Sequence, residues 1–466
     1  MEIKALPSVV SIAALALAAT AVVSAQSEGS RIAPWLSPYR DATNRLIGAA
    51  FADRAAWDRL AEMTDTFGPR LSGSPGLEAA LKWAAERMRA DQFDAVTLEP
   101  VKVPKWVRGR ESLSIVSPFP RPLTMLGLGG SVGTPENGVE AEVLVIASFA
   151  ELDRRAADVK GRIVLFNAPF VSYGETVAYR MNGPSRAAQH GAVAALVRSV
   201  GPTGLRTPHT GALAYLDDLP KIPAASIATE DADALARFQS RGQKVLLRLT
   251  MEAHTEADAD SANLVADLKG REKPDEIVVV ACHIDSWDVG TGANDDGVGC
   301  IVVWEAARLL NALNLRPRRT VRVVLYVNEE NGLRGGVAYR DAHRNELDRH
   351  VLMIETDSGV YPPLGLGVSG NETARQRVRD IVRLLEGIGI TRVDGQGGGA
   401  DIAPSVQAAA IPAASLNGDP GRYFQIHHTH ADTVERLEPS EVSRAVAGMA
   451  VLTYLAAELP ERFGER

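Results

Sequence analysis

Cysteine is almost absent from this chain. Only Cys282 and Cys300 occur among its 466 residues, which is too few for a disulfide framework at this length. The two thiols either pair in an oxidising compartment or are small buried residues, and we favour burial. Cys282 precedes His283 on a predicted strand, where neighbouring side chains point to opposite faces. We therefore do not expect Cys282 to share a metal ion with His283.

Two further absences exclude other classes of protein. The sequence has no block rich in lysine and arginine, and 50 basic against 58 acidic residues give a formal net charge of −8. Nucleic acid is therefore not an expected partner. Beyond the N-terminal segment no stretch is continuously apolar over about 18 residues, so we expect no stable membrane insertion.

The N-terminus has the pattern of a signal peptide. Lys4 supplies a weak positive charge, and residues 9–23 are apolar and rich in alanine. The small residues Val23 and Ala25 then form a signal-peptidase site around Ser24. We predict that residues 1–25 are removed near Ala25 and that the mature protein is secreted or periplasmic. An uncleaved anchor is the alternative.

The rest of the chain divides into three predicted segments. Helical and strand-like patterns over residues 26–118 open an α/β domain. Prolines and glycines then mark a crossing, and short strand candidates with one helix, 178–190, predict a compact, mostly β insert over residues 119–256. In residues 257–466 strands alternate with helices, and the strands are apolar on both faces. This pattern predicts an α/β fold with a mainly parallel, doubly wound sheet.

Chemically reactive side chains follow the ends of several predicted strands. Ligands bind beyond the carboxyl ends of the strands in such sheets, and strands 277–282, 321–327 and 351–355 all end in polar residues. A glycine-rich loop and a segment near the C-terminal helix add more. The residues concerned are His283, Asp295, Glu329, Glu330, Asp357 and the segment 427–430. Imidazoles and carboxylates without thiolates predict a pair of divalent metal ions, zinc or a similar ion.

The doublet Glu329-Glu330 indicates what such a site does. Neighbouring side chains at a strand end point in different directions. One carboxylate can bind a metal ion while the other faces the water between the two metal ions. The second carboxylate is then free to take a proton from that water and give it to a leaving amine.

The order of the motifs HxD, NDDG, NEENG, ETDSG and HHTHADT resembles the co-catalytic zinc exopeptidases of the aminopeptidase and glutamate carboxypeptidase superfamily. The resemblance extends to residues 207–211, 283–290 and 399–402, and it covers nearly all of the mature chain. It implies the zinc-exopeptidase fold, with an insert similar to a protease-associated domain.

That resemblance also implies a role for each residue of the motifs. One zinc ion has His283 and Asp357 as terminal ligands, the other has Glu330 and His428, and Asp295 bridges the two. His428 is assigned by its spacing to the Asp-Thr pair 432–433, with His427 and His430 as alternatives.

The remaining implied roles concern catalysis and substrate binding. Glu329 is the general base and acid, and Asp285 orients His283 through the second ring nitrogen. Residues placed near the substrate are His209, Asp401, Tyr423 and His427.

The expected activity is that of a di-zinc exopeptidase which hydrolyses dipeptides or short peptides and releases a C-terminal amino acid. An aminopeptidase acting through the same site is the alternative. A relative that binds without catalysis is a third interpretation, which the complete ligand set disfavours. The expected partner is a peptide substrate, and a homodimer is suggested only by analogy.

Overall fold

The computed structural model describes residues 32–202 and 204–464. The predicted signal peptide, residues 1–25, lies outside the described residues. Within them the helices, in chain order, are α1 (Arg40–Ala52), α2 (Ala55–Phe67), α3 (Pro75–Ala90), α4 (Phe149–Arg154), α5 (Tyr173–Gln189), α6 (Thr229–Ser240), α7 (Val298–Ala312), α8 (Arg334–Ala342), α9 (Glu372–Leu385), α10 (Ala403–Ala409), α11 (Pro420–Ile426) and α12 (Pro439–Glu458).

The strands of the described residues form two sheets. In chain order they are β1 (Ala95–Val107), β2 (Glu111–Ser117), β3 (Arg121–Leu123), β4 (Met125–Gly127), β5 (Val139–Ile146), β6 (Ile163–Phe166), β7 (Ala194–Arg198), β8 (Ala224–Ile227), β9 (Leu246–Met251), β10 (His254–Leu268), β11 (Lys273–His283), β12 (Arg319–Tyr326), β13 (His350–Glu355), β14 (Gly365–Ser369), β15 (Arg392–Asp394) and β16 (Ala413–Asn417).

The first sheet has the strand order β1-β10-β12-β11-β13-β16-β14-β15. Its four central strands, β12, β11, β13 and β16, are parallel, whereas β10 and β14 run antiparallel to their neighbours β12 and β16. The predicted parallel sheet is therefore confirmed at the centre and becomes mixed toward the edges. Helices cover both faces, which confirms the doubly wound architecture.

Strand β11 shows why this sheet is buried on both sides. Val278, Val280 and Cys282 point into the larger core, which contains α7 and α12. The alternating residues 277, 279 and 281 pack on the opposite face around Tyr339 of α8. Burying each of these valines stabilises the fold by roughly 1.5–3 kcal/mol, so an uninterrupted β-branched run is stable only as a central strand.

The second sheet has the order β3-β2-β9-β5-β6-β7-β8-β4 and carries helices α4, α5 and α6. This part of the chain contains more helix than the predicted mostly β insert, in which the sequence indicated one helix. The first strand of the second sheet begins at Glu111, whereas the sequence predicted that the insert starts at residue 119. The missed helices α4 and α6 are short, six and twelve residues. The long strands β1 and β10 pair antiparallel from Ala95–Asp267 to Val107–His254 and connect the two sheets.

Cys282 of β11 and Cys300 of α7 form a disulfide, with their Cα atoms 5.1 Å apart. The favoured interpretation of two unpaired thiols is therefore wrong, although both residues are buried as predicted. Helix α7 begins beside the end of β11 because the loop between them returns the chain to that strand. No helix of the described residues is long and apolar enough to cross a membrane.

Candidate active site

The site lies where the parallel strands end. His283 is the last residue of β11, Glu329 and Glu330 follow β12, and Asp357 follows β13 two residues after its end. Strand β16 leads through α11 to His427 and His428. Parallel strands bring their carboxyl ends to one edge, so these side chains converge as the sequence predicted.

Asp295 lies at the centre of the group. Its Oδ1 atom is 3.4 Å from Nε2 of His283, and its Oδ2 atom is 3.1 Å from Nε2 of His428. The two carboxylate oxygens therefore face two different imidazoles. Burial opposes ionisation of Asp295, but the nearby imidazoles of His427, His283 and His428 hold its pKa well below the usual value.

His428 and Glu330 form one side of the centre. Nε2 of His428 is 2.9 Å from Oε2 of Glu330, whose other oxygen accepts the backbone N–H of Trp287 at 3.2 Å. His427 stacks on His428 with ring centroids 3.5 Å apart, and its Nε2 is 3.5 Å from Asp295. Among the described contacts only His428 reaches both acids, which supports the choice of His428. Its φ of +60° places it in the left-handed region that non-glycine residues seldom occupy.

His283 and Asp357 form the other side. Nε2 of His283 is 3.4 Å from Oδ1 of Asp357, and the hydroxyl of Tyr423 donates to the same oxygen at 3.4 Å. Burial lowers the pKa of His283, but Asp357 and Asp295 raise it well above its usual value. Glu355, the other acid near the end of β13, is directed away from the site, because it accepts the backbone N–H of Ile402 at 2.9 Å.

Asp285 differs from its predicted role. Nδ1 of His283 contacts the backbone carbonyl oxygen of Asp285 at 3.0 Å, whereas the carboxylate is 3.9 Å away. The carboxylate instead accepts the backbone N–H groups of Glu329 at 3.2 Å and Glu330 at 3.4 Å. Asp285 thus positions the glutamate doublet, while its main chain orients the imidazole of His283.

Two buried side chains hold the loops that carry the site. The guanidinium of Arg70 is fully buried and donates to the carbonyl oxygens of Gly68, Ile284, Thr291 and Gly292. Asp432 accepts the backbone N–H groups of Asn294 at 2.7 Å and Asp295 at 3.1 Å. The loop from β11 to α7 is therefore held from both sides.

The donor set fits metal ions. Nε2 of His283 and Oδ2 of Asp295 are buried and have no hydrogen-bond partner, which is costly unless a cation binds there. The groups Asp295, His427, His428 and His283, Asp295, Glu330 each bring their ligand atoms within 4.8 Å of one another. His283, Asp296 and Asp357 do so as well, although Asp296 also accepts the backbone N–H of His283 at 3.3 Å.

A cavity of about 470 Å³ opens at this centre. The proposed ligands Asp295, Glu330, Asp357 and His428 line it together with Glu329, and so do the predicted substrate residues Tyr423 and His427. Helix α5 adds further walls, Tyr173, Arg180 and Met181, and the loop between β7 and β8 adds Ala212.

The other two predicted substrate residues do not line this cavity. His209 is buried beside His427, and burial lowers its pKa to about 3. Asp401 is fully buried because its loop folds over Glu355, which accepts its backbone N–H at 3.4 Å. Their positions therefore do not support the prediction that Asp401 and His209 contact the substrate.

Comparison with known proteins identifies the family. Carboxypeptidase Q of Xenopus laevis is 44% identical over 429 residues, which is 91% of both chains. The sequence profile of peptidase family M28 matches residues 263–453. The chain belongs to peptidase family M28. The match to this family runs from within β10 to most of α12 and includes every predicted metal ligand and Glu329.

Solved structures agree with this assignment. A peptidase M28 precursor of Shewanella amazonensis superposes with a TM-score of 0.87 at 34% identity, over 91% of this chain and 97% of that one. A zinc aminopeptidase of Bacillus subtilis has the same fold, with a TM-score of 0.66 at 24% identity over 88% and 96% of the two chains. The expected superfamily, its fold and its hydrolase activity are therefore confirmed for this M28 peptidase, which is similar to carboxypeptidase Q over most of its length.

Proposed function

We propose that this M28 peptidase is a two-zinc exopeptidase that hydrolyses dipeptides or short peptides and releases the C-terminal residue. The observation that carries the proposal is Asp295, whose two oxygens face His283 on one side and His428 on the other. A carboxylate that presents one oxygen to each of two ligand groups is what a bridged pair of metal ions requires. The likeness to carboxypeptidase Q supports release from the C-terminal end.

In this proposal the five ligands are divided between two metal ions according to which side chains lie close together. His283 and Asp357 bind one ion, Glu330 and His428 bind the other, and Asp295 bridges them. Two zinc ions held there would polarise the peptide carbonyl and lower the pKa of a water molecule between them. The second nitrogen of His283 is fixed by the carbonyl oxygen of Asp285, which orients the ring for ligation.

We propose Glu329 as the general base. It lines the cavity beside Asp295 and Asp357 without an ion-pair partner among the described residues, and its backbone N–H is held by Asp285. Its carboxylate would accept the proton of the attacking water and deliver it to the departing amine nitrogen. In the protein without metal, burial raises the pKa of Glu329 well above its usual value, and Asp357 and Glu330 add to this; bound cations act in the opposite direction.

The location is proposed from two observations. The N-terminal pattern is that of a signal peptide, and the disulfide Cys282–Cys300 is typical of proteins in an oxidising compartment. We infer a secreted or periplasmic enzyme in which the second sheet corresponds to a protease-associated insert. A homodimer is proposed by analogy alone, and light scattering of the purified chain tests it.

Product analysis of a tripeptide with three different residues tests the direction of cleavage. Incubation of the zinc-loaded chain with Ala-Ser-Leu is expected to release leucine and Ala-Ser. The C-terminal amide of the same peptide should be a poor substrate, whereas N-acetylation should be tolerated. Release of alanine together with Ser-Leu would instead show an aminopeptidase.

A further inference from the structure

His428 has an unusual backbone conformation for a proposed metal ligand. Its φ of +60° lies in the left-handed region, which costs a non-glycine residue free energy and persists only where the surrounding structure holds it. The backbone N–H of Thr210 donates to the carbonyl oxygen of His428 at 2.9 Å. Thr210 lies in the loop between β7 and β8, in the part of the chain that carries the second sheet and is called the insert. A loop of the insert therefore holds the main chain of a proposed ligand.

Side-chain hydrogen bonds fix Thr210 in its turn. Thr210 is fully buried, and its hydroxyl donates to the carbonyl oxygen of Gly127 in β4 at 2.7 Å. The same hydroxyl accepts a hydrogen bond from Nη2 of Arg108 at 3.3 Å. Arg108 also donates from Nη1 to the carbonyl oxygen of Gly127 at 2.6 Å. Because Thr210 and Arg108 are tied to each other and to one backbone carbonyl, the N–H of Thr210 is held in place against His428.

Arg108 connects this network to the loop after β11. Its Nε and Nη2 atoms donate to the two carboxylate oxygens of Asp288 at 2.8 Å and 2.5 Å, and a bidentate pair of this kind fixes geometry as well as charge. The residue before Asp288 is Trp287, which donates its backbone N–H to Glu330 at 3.2 Å. The insert is thus linked to both proposed terminal ligands of the second ion, His428 and Glu330.

The indole ring of Trp287 reinforces this link. It is buried in the core of the second sheet, where it packs edge to face against Trp106. A Cβ atom at Gly129 would collide with the indole, so glycine is needed for the insert to approach this closely. The centroid of the indole ring lies 5.7 Å from that of the His428 ring. Packing as well as hydrogen bonds therefore joins the insert to this side of the metal centre.

The proposed terminal ligands of the first ion lack such a link. In the part of the chain that the structure describes, the hydrogen bonds and ion pairs of His283 join it to residues within 285–300 and to Asp357. Asp357 has a further hydrogen bond from Tyr423 of α11. None of these contacts involves the second sheet. Loosening the insert should therefore affect the two metal ions unequally.

We propose that Thr210 is a positioning residue that holds His428 for the second metal ion, so that docking of the insert sets the affinity of that ion and not of the first. This inference rests on the proposed function. Neither Thr210 nor Arg108 is among the described residues that line the catalytic cavity. Both act through His428 and make no contact with the substrate.

The test measures zinc binding by the full-length chain, dialysed against a series of zinc buffers. The wild type should bind two ions. Thr210→Val keeps the shape of the side chain but removes the hydroxyl, and it should raise the Kd of one ion about 10-fold, as expected for a residue that supports a metal ligand. The Kd of the other ion should stay unchanged. Thr210→Ser keeps the hydroxyl and should bind both ions like the wild type.

Double substitutions show which ion is affected. Asp357→Ala removes a ligand of the first ion, so its combination with Thr210→Val should weaken the binding of both ions. Glu330→Gln removes a ligand of the second ion, so its combination with Thr210→Val should leave the first ion at the affinity found in Glu330→Gln alone. Activity gives a separate readout: Thr210→Val should hydrolyse Ala-Leu slowly at limiting zinc and regain the wild-type rate at saturating zinc, which a misfolded variant would not do.

Thr134→Val is the matched control. The hydroxyl of Thr134 also joins two backbone groups, since it donates to the carbonyl oxygen of Met251 at 3.3 Å and accepts the N–H of Met251 at 3.1 Å. Neither residue lines the cavity, and zinc binding should match that of the wild type. Melting temperatures report whether each variant is folded. If Thr210→Val does not fold, Arg108→Lys carries the test, because an ammonium lacks the planar fork that reaches Asp288 and Thr210 together. It should weaken the same ion.

The two proposals fail in different ways. If the wild type binds only one zinc ion, the proposed two-zinc function is wrong. If the wild type binds two ions but the folded Thr210→Val or Arg108→Lys variant binds both as tightly as Thr134→Val does, the insert does not position His428. Equal weakening of both ions would show that Thr210 supports the fold in general, and it would overturn the inference as well.

Discussion

The carboxylate of Asp285 accepts the backbone N–H of Glu329 at 3.2 Å. This hydrogen bond joins the loop after β11 to the end of β12 and fixes the direction in which the glutamate doublet leaves the sheet. Since Asp285 reaches Glu330 in the same way at 3.4 Å, one buried acid positions both the proposed base and a proposed ligand.

Asp285→Asn should therefore lower activity without removing any metal ligand. The amide keeps one acceptor oxygen but replaces the other with a donor that opposes a backbone N–H. We expect kcat to fall about 10- to 100-fold, the range found for residues that support ligands, with zinc content near that of the wild type. Steady-state kinetics and metal analysis check this, and unchanged kcat would show that Asp285 does not position the doublet.

Glu329→Gln separates proton transfer from metal binding. The amide cannot accept a proton, so kcat should fall about 1000-fold, within the usual range for a general base. Zinc content should not change, because Glu329 is not among the proposed ligands. Its neighbour supplies the matched comparison: Glu330→Gln should lose zinc as well as activity. Activity retained in Glu329→Gln would refute the assignment of the base.

Asp295→Ala should affect both metal ions, since one oxygen faces each ligand group. We expect this variant to lose most of its zinc. Asp357→Ala removes a terminal ligand and should weaken the binding of only one zinc ion. Zinc per chain, measured by elemental analysis after dialysis, distinguishes the two patterns. Equal retention of zinc in both variants would argue against a bridge.

The disulfide Cys282–Cys300 closes a loop with a sequence separation of 18, which contains Asp285, Asp295 and Asp296. Chain-entropy reasoning assigns about 3 kcal/mol to a loop near this length. The double substitution Cys282→Ala/Cys300→Ala should lower the free energy of unfolding by about that amount in denaturant titrations. Reduction of the wild type, which leaves side-chain volumes unchanged, is the control and should destabilise it similarly.

His343 should contribute a pH-dependent part of stability. Burial lowers its pKa, but hydrogen bonds and charge from Glu99, together with Glu346, outweigh this and the opposing charge of Arg322, so the folded-state pKa is raised. The contribution is complete below the unfolded pKa of about 6.5 and is lost as pH rises through the folded pKa.

The difference in unfolding free energy between wild type and His343→Gln should therefore be larger at pH 6 than at pH 9. Chemical denaturation at both values measures it. His254→Gln, at an exposed histidine, is the control. A difference that does not shrink with pH would show that His343 acts through packing.

The sequence predicted the site best where reactive side chains directly follow a predicted strand. His283 could be placed because a β-branched run ends on it, and Glu329, Glu330 and Asp357 because they follow similar runs. Asp295 and His428 lie in loops, and their assignment depended on the order of motifs and on the resemblance to a family. The structure brings all of them to one edge of the central sheet.

Other features depend on contacts between distant segments, which no local pattern encodes. Arg180 lies on a helix of the insert, where a single arginine is usually exposed, and its loss of solvent depends on the backbone around Gly211. Arg70 was part of an ordinary turn-rich loop. Asp401 was predicted near the substrate from its motif, but hydrogen bonds to Glu355 fold its loop inward. The pairing of Cys282 with Cys300 could not be predicted either, because it depends on the loop after β11 bringing the start of α7 back beside that strand.

Stepwise addition of zinc to the metal-free chain tests the central claim most directly. Hydrolysis of the unblocked dipeptide Ala-Leu is followed while bound zinc is counted. The account predicts that activity depends on zinc and reaches its plateau at two zinc ions per chain. Full activity at one zinc ion per chain, or hydrolysis that persists without metal, would contradict it.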